Sequence, residues 1–281
     1  MKIVKTVNEV REITSKWRAE GLTVGLVPTM GFLHEGHKSL ILRAAAENDK
    51  VVVSDFVNPT QFSPNEDLEA YPRDLARDAA LCEEAGAALI FNPEPEEMYL
   101  DRFSTYVNME NLSKELCGKS RPIHFRGVCT VVSKLFNIVK PDKAYFGQKD
   151  AQQLAIIKRM VRDLNFDIDI VGCPIIREED GLAKSSRNTY LSEEERKAAL
   201  ILNKAVRLGE KMAASGEKDA EKIVGEMVKL IETEPMAKID YVQAVDAVSV
   251  EPVKEMKAPV LVAMAVYIGK TRLIDNFIYE G

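Results

Sequence analysis

Two of the chain's three histidines, His34 and His37, lie three residues apart between an apolar stretch and a sequence with helical periodicity. A loop that leads from a strand into a helix presents backbone N–H groups without helical partners and the positive end of the helix dipole. Two imidazole groups at such a helix start add hydrogen-bond donors without adding a permanent charge. This combination predicts a site that binds phosphate groups.

Three other interpretations of this stretch compete with phosphate binding. A zinc protease motif needs three residues between its histidines, whereas two separate them here, so a metal site is disfavoured. Gly31 and Gly36 have the glycine spacing of a P-loop, but His37 and Lys38 stand where that motif has Lys and then Ser or Thr. Histidines that merely complete a loop stay an alternative from this stretch alone.

The composition argues against several classes of protein, namely nucleic-acid-binding, membrane-spanning and secreted proteins. The chain has 281 residues and a net charge of −6, with acidic and basic residues interspersed, so no basic face for nucleic acid is expected. No apolar run approaches the ~18 residues of a membrane span, and the first residues do not resemble a secretion signal. The four cysteines form no Cys-x-x-Cys pair, which favours reduced thiols in a cytoplasmic protein. No membrane partner is expected, because no long apolar run is present.

Strands and helices alternate along the first part of the chain. Short apolar strands are predicted at 23–27, 50–57, 88–91, 143–146 and 167–172. Helices are predicted at 7–20, 37–47, 75–85, 128–139 and 151–164, whereas 105–109 reads as a further strand and 121–127 as a polar loop. The alternation predicts an α/β fold with a Rossmann-like, doubly wound parallel sheet in residues 1–176, with the ligand beyond the carboxyl ends of its strands.

The pattern changes after about residue 177. Ser192 and Glu195 form a capping box before a long helix to 215, and a second helix follows at 219–233. Strands are predicted at 239–246, 260–267 and 272–278. Helices followed by strands predict a smaller C-terminal α+β domain at 177–281, and we expect it to close over the ligand site.

Other residues suited to phosphate or polar ligands follow predicted strands or lie near the domain boundary. Lys149 follows a predicted strand and lies near a helix start, and Lys184 to Arg187 offer two cations and two hydroxyl groups. Gln61 and Gln153 have neutral amides suited to a hydroxyl or carboxylate. Taken singly, each of these residues is at least as well explained as part of a solvated surface. His124, between Arg121 and Arg126, has no assignable role.

Four motifs together resemble those of one enzyme family. They are Val-Pro-Thr-Met-Gly-Phe-Leu-His-Glu-Gly-His at 27–37, Phe-Val-Asn-Pro-Thr-Gln-Phe at 56–62, Tyr-Phe-Gly-Gln-Lys-Asp-Ala-Gln-Gln at 145–153 and Lys-Ser-Ser-Arg-Asn at 184–188. In order and spacing they are similar to the motifs of the pantoate–β-alanine ligase family, over essentially the whole chain. His-x-Gly-His alone marks a wider nucleotidyltransferase group. Lys184 departs from many family members, which carry an apolar residue there.

The resemblance implies an ATP-dependent synthesis of pantothenate in two steps. Pantoate would attack the α-phosphorus of ATP to give pantoyl adenylate and pyrophosphate, and the amine of β-alanine would then displace AMP. The implied catalytic residues are His34, His37, Lys149 and Arg187, with His37 as the proton donor. The implied ATP-binding residues are Met30, Gly31, Phe32, Leu33, His34, Glu35, Gly36, His37, Gly147, Gln148, Lys149, Asp150, Ile176, Lys184, Ser185, Ser186 and Arg187.

The same resemblance implies that Gln61 and Gln153 hold pantoate, that Mg²⁺ accompanies ATP, and that the enzyme is a cytoplasmic homodimer. It implies no specific metal ligands. Two alternatives are weighed against it. Another nucleotidyltransferase would transfer AMP or CMP to a phosphate or alcohol and stop there. A regulatory module would bind the nucleotide without turnover.

Overall fold

The computed structural model of the chain describes residues 1–64 and 66–281. Its contacts divide the chain into two compact units. Unit 1 comprises residues 1–109, 123–148 and 156–174, and unit 2 comprises residues 110–122, 149–155 and 175–281. Among the described residues no helix is both long and apolar enough to cross a membrane.

Unit 1 contains a six-stranded parallel sheet with the order β1-β4-β3-β2-β5-β6. Its strands are β1 (Lys2–Val4), β2 (Val24–Thr29), β3 (Lys50–Asp55), β4 (Leu89–Phe91), β5 (Lys143–Gly147) and β6 (Asp169–Cys173). The strand order reverses at β2, because β3 and β4 lie on one side of it and β5 on the other. Ligands of such sheets bind beyond the carboxyl ends of the strands at this reversal.

Ten α-helices and three short 3-10 helices are found among the described residues. The α-helices are α1 (Val7–Ala19), α2 (Glu35–Glu47), α3 (Leu75–Glu84), α4 (Pro95–Met98), α5 (Leu116–Ser120), α6 (His124–Val139), α7 (Ala151–Asp163), α8 (Glu193–Ala198), α9 (Leu200–Ala214) and α10 (Ala220–Ile231). The 3-10 helices are Pro59–Gln61, Gln148–Asp150 and Ser186–Tyr190.

Helices cover both faces of the sheet of unit 1. Val51 and Val53 share one buried cluster with Ile41 of α2 and Cys82 of α3. Val52 points to the opposite face and is equally buried, and on that side α6 contacts both α1 and β2. Burial on both faces explains why these strands are continuous apolar runs, and it confirms the predicted doubly wound sheet.

Three local predictions for unit 1 were wrong. The edge strand β1 was missed, because three residues are too short to show a period. Residues 105–109 form no strand, and the Val107 N–H instead donates to Thr130 Oγ1 at 3.0 Å. The predicted loop at 121–127 already includes the first turn of α6, which begins at His124.

Unit 2 contains an antiparallel sheet formed by β7 (Ala237–Asp246), β8 (Val260–Ile268) and β9 (Thr271–Tyr279), with β8 in the middle. Ile223 and Met227 of α10 pack with Met264 of β8 and Phe277 of β9 in one buried cluster. The predicted capping box of Ser192 and Glu195 is present. It opens a helix that is interrupted at Ala199, so the single long helix predicted here is two helices, α8 and α9. The smaller α+β fold is confirmed, while the division at residues 176 and 177 and the closing motion stay predictions.

Candidate active site

The two histidines cap helix α2. His34 is the N-cap residue, and its Nδ1 accepts a hydrogen bond from the Gly36 N–H at 3.1 Å. His37, three residues later, returns the contact, since its Nδ1 accepts from the His34 N–H at 3.3 Å. The two ring centroids are 4.1 Å apart. A capping box normally has Ser or Thr at the N-cap and Glu or Gln three residues later. Here histidine occupies both positions.

This arrangement determines which ring nitrogen carries the proton. A ring nitrogen that accepts a hydrogen bond has no proton, so in the neutral imidazole the proton is on the other nitrogen. Both histidines therefore have Nε2–H as a donor while Nδ1 holds the helix start. The two donors are added to the N–H groups and the dipole of a 13-residue helix, which is the setting expected of a phosphate site.

A buried carboxylate holds the loop before this helix. Asp78 of α3 is 1% exposed, and its two oxygens accept from the N–H groups of Phe32 and Leu33, each at 2.6 Å. Phe32 needs such support because its φ of 49° is unfavourable for a residue with a side chain. Burial raises the pKa of Asp78, and the two N–H donors oppose that shift. The sequence offered no signal for this role, since Asp78 reads as an ordinary helical acid.

A second acid, Asp55, lies at the carboxyl end of β3 beside the same loop. Gly31 adopts a φ of 81°, and a Cβ atom there would clash with Asp55 Oδ1, so only glycine fits. Burial, and after it the charge of Asp78, raises the pKa of Asp55 to about 7. The loop from Met30 to His34 thus lies over two buried carboxyl groups.

Gln61 is the last residue of the 3-10 helix Pro59–Gln61, and its amide is held by neighbours. Asn58 Nδ2 donates to Gln61 Oε1 at 2.9 Å, and Gln61 Nε2 lies 3.0 Å from Met30 Sδ. The structure therefore brings together two residues that the sequence assigned to different ligands. Asn58 also receives the Tyr99 hydroxyl at 2.6 Å, which fixes the orientation of its own amide.

Helix α6 also contacts the segment that contains Gln61. His124 Nδ1 is 3.0 Å from the Gln61 carbonyl oxygen, and because a carbonyl only accepts, the histidine donates. A Cβ atom on Gly127 would come within 2.6 Å of Gln61 Cα, so glycine is required for this close approach. His124, which had no assignable role in the sequence, is thus a support of Gln61 at the start of a helix.

Gly147 ends β5, the neighbour of β2, and Gln148 follows it. The carboxyl ends of adjacent parallel strands meet at one edge of the sheet, so the β2 and β5 ends flank the reversal of strand order. No described atom lies within 4 Å of a Cβ built on Gly147. The open space beside this glycine is what backbone contact with a ligand needs.

The remaining candidate residues belong to unit 2. Lys149 and Asp150 complete a 3-10 helix before α7, and the half-buried Gln153 lies in the first turn of α7. Asn276 Nδ2 of β9 donates to the Lys149 carbonyl oxygen at 3.0 Å. No local sequence pattern indicates this contact, because the two residues are far apart along the chain.

Ile176 and the Lys184–Arg187 segment form one folded loop. The Lys184 N–H donates to the Ile176 carbonyl at 2.9 Å, which brings these two candidate ATP residues together. Ser185 is the N-cap of the 3-10 helix Ser186–Tyr190, and its hydroxyl accepts from the Arg187 N–H at 3.3 Å. Asn188 Nδ2 donates to the Ala183 carbonyl at 3.1 Å and closes the turn.

The candidate residues therefore form one group in each unit. Unit 1 carries Met30, Gly31, Phe32, Leu33, His34, Glu35, Gly36, His37, Gln61, Gly147 and Gln148. Unit 2 carries Lys149, Asp150, Gln153, Ile176, Lys184, Ser185, Ser186 and Arg187.

Comparisons with known proteins identify the family of the chain. A family model described as pantoate-beta-alanine ligase matches residues 2–278. A pantothenate synthetase of Enterococcus faecalis is 65% identical over 280 residues, covering 100% of this chain and 99% of the relative. The crystal structure of pantothenate synthetase from Thermus thermophilus is 44% identical, with a TM-score of 0.93 and 100% of both chains covered.

A third relative was solved with ligands. The pantoate-beta-alanine ligase of Francisella tularensis, complexed with beta-gamma ATP and beta-alanine, is 35% identical with a TM-score of 0.81. The match covers 99% of this chain and 97% of that one. Motifs, fold and full-length similarity agree, and the chain belongs to the pantoate–β-alanine ligase family.

Proposed function

We propose that the residues of both groups described above act together in the two-step reaction of the family. The chain is an ATP-dependent ligase that joins pantoate to β-alanine and forms pantothenate. In the first step a pantoate carboxylate oxygen bonds to the α-phosphorus of ATP, and the bond from that phosphorus to the bridging oxygen breaks. Pyrophosphate leaves and pantoyl adenylate remains. In the second step the β-alanine amine attacks the acyl carbon, AMP leaves, and the amine gives up a proton.

The single observation that carries the assignment of roles is the pair of capping histidines. Negative charge grows on the bridging and β-phosphate oxygens as pyrophosphate departs. Donors that are already oriented stabilise this charge more strongly in the transition state than in the ground state. The caps orient both rings with Nε2–H as donor. We assign His34 and His37 to the departing phosphates, with His37 as the proton donor.

Cations from unit 2 complete the phosphate ligands in this proposal. Lys149, Lys184 and Arg187 supply positive charge for the triphosphate, and Ser185 and Ser186 supply hydroxyl donors. Ile176 lies beside the adenine. The backbone of Met30 to His37 and of Gly147 to Asp150 contacts the nucleotide. Closure of the second domain over bound ATP is part of the proposal, and protection from proteolysis by ATP plus pantoate tests it.

Gln61 and Gln153 bind pantoate in this scheme. Primary amides offer both a donor and an acceptor, which suits the hydroxyl and carboxylate groups of the acid. The contact of Asn58 with Gln61 Oε1 directs the Gln61 Nε2 donor away from Asn58. A fixed amide lowers the entropy lost on binding.

We propose that Mg²⁺ accompanies ATP and is coordinated mainly by phosphate oxygens, as this ion commonly is. Within residues 1–64 and 66–281, no group of three or more His, Cys, Asp or Glu side chains is placed to hold a metal. We further propose a homodimer that works in the cytoplasm. The cysteines Cys82, Cys117, Cys129 and Cys173 are free thiols, as is usual in that compartment.

Exchange of labelled pyrophosphate into ATP tests the first step. The assay is run with and without pantoate, and β-alanine is omitted. We expect exchange only with pantoate, because the adenylate must form reversibly before pyrophosphate can return. Exchange without pantoate, or none with it in protein that binds ATP, would reject the reaction and direct attention to phosphate and alcohol acceptors.

A further inference from the structure

Two adjacent residues of β9, Asp275 and Asn276, hold two segments of unit 2 that are distant in sequence. β9 pairs along its whole length with β8, with Asp275 opposite Met264 and Asn276 opposite Ala263. Successive side chains of a strand leave from opposite faces of the sheet. The side chains of Asp275 and Asn276 therefore make their contacts on opposite faces of the sheet.

Asp275 holds the loop that contains Ile176 and Lys184. Its carboxylate, 1% exposed, accepts two hydrogen bonds from the Arg177 guanidinium, at 2.7 and 3.0 Å. Arg177 also donates to the Gly181 carbonyl at 3.1 Å, so the same side chain closes the turn between Ile176 and Lys184. A two-point contact of this kind fixes both distance and orientation.

Asn276 holds Lys149. Its side chain is 3% exposed and donates from Nδ2 to the Lys149 carbonyl oxygen at 3.0 Å. Gln152, one turn further on, donates from Nε2 to the Leu112 and Glu115 carbonyls at 2.8 Å each. The backbone around Lys149 is thus fixed by buried amides.

We propose that Asp275 and Asn276 are positioning residues, which place Lys149 and the Lys184–Arg187 segment at a fixed separation so that both act on one triphosphate. This inference rests on the proposed function of those cations. A paired strand is a rigid support, and misplacement of a catalytic group by about 1 Å can reduce a rate on the order of 100-fold. Buried ion pairs often add little net stability compared with apolar side chains, which fits a role in geometry.

The substitution Asn276→Asp keeps the size of the side chain but replaces the N–H donor by an oxygen facing the Lys149 carbonyl. Arg177→Lys keeps the charge but loses the two-point contact. We expect each to lower pantoate-dependent pyrophosphate exchange by roughly 10- to 100-fold. The reaction of supplied pantoyl adenylate with β-alanine should change less than threefold, because pyrophosphate has already left.

Leu273→Val, in the buried cluster on the same strand, is the matched control for a loss of packing alone. It should lower the melting temperature with exchange retained. A double substitution separates positioning from general damage: if Asn276 acts through Lys149, Asn276→Asp should have little further effect on exchange in a Lys149→Ala background.

Three results would overturn the inference: exchange at wild-type rates in folded Asn276→Asp and Arg177→Lys, equal loss of both half-reactions, or full additivity with Lys149→Ala. Absence of pantoate-dependent exchange in the wild-type protein would instead reject the proposed function itself.

Discussion

His34 and His37 each use one ring nitrogen for structure and leave the other as a donor. The Nδ1 atoms accept from backbone N–H groups at the start of α2. A ring nitrogen that accepts a hydrogen bond carries no proton, so the proton of each ring is on Nε2. The same contacts that begin the helix thus orient the Nε2 donors that we propose for phosphate.

Substitution of His37 separates these two roles. His37→Gln retains a residue that completes a capping box, whereas His37→Ala does not. We expect both variants to lose roughly 100- to 1000-fold in pyrophosphate exchange, as when one oriented donor is removed from a transition state. Only His37→Ala should also lose about 0.5–2 kcal/mol of unfolding free energy in urea. Near-normal exchange in His37→Gln would reduce His37 to a structural residue.

At the scale of elements, α6 and the 3-10 helix Pro59–Gln61 form the support of the proposed pantoate site. The contact depends on Gly127, since a side chain there would meet the backbone of Thr60 and Gln61. The His124 ring holds the Gln61 carbonyl from the same helix. The backbone atoms of Thr60 and Gln61 cannot rotate away as a side chain could. A Cβ atom at Gly127 therefore requires the backbone itself to shift.

Gly127→Ala should therefore displace Gln61. We expect the pantoate concentration for half-maximal exchange to rise about tenfold or more, with about 1–3 kcal/mol of stability lost to overpacking. The control is Gly225→Ala in α10, where no described atom lies within 4 Å of the added Cβ. That change should leave exchange intact and stabilise the helix by roughly 0.5–1 kcal/mol. Unaltered pantoate dependence in Gly127→Ala would contradict the role of this contact.

At the scale of the whole molecule, Asp55, which lies beside the loop from Met30 to His34, makes the stability of the fold depend on pH. Its carboxyl group faces Asp78 of α3, with the Cys82 thiol nearby, and its pKa is raised to about 7 from 3.8. Between these two values the folded protein holds a proton that the unfolded chain has lost. Stability from this group therefore decreases as pH rises from about 4 to 7 and is constant above that range.

Asp55→Asn removes this proton linkage. We expect the unfolding free energy of the variant, relative to wild type, to rise by about 2–4 kcal/mol between pH 4 and pH 8. Urea unfolding at several pH values measures the difference. Asp49→Asn, at an exposed acid before β3, is the control and should show no such rise. A difference between Asp55→Asn and wild type that does not vary with pH would show that Asp55 is ionised throughout.

The sequence by itself determined features that depend on near neighbours. Alternating apolar runs predicted five of the six strands of the parallel sheet. Ser192 and Glu195 predicted their own capping box, which is present. The spacing of His34 and His37 predicted a phosphate site, which stays a prediction. These features are local because helix caps and strand burial follow from residues a few positions apart. The motifs then placed the chain in its family.

Only the tertiary structure decided what supports those residues. Asp78 is 46 positions from Phe32, and Asn276 is 127 positions from Lys149. The contact of His124 with the Gln61 carbonyl exists only because α6 packs against the 3-10 helix that contains Gln61. No periodicity records such contacts, because they arise when the strand order brings distant segments together and buried polar groups must find partners there. The sequence thus named the candidate site residues, and the fold supplied the groups that hold them.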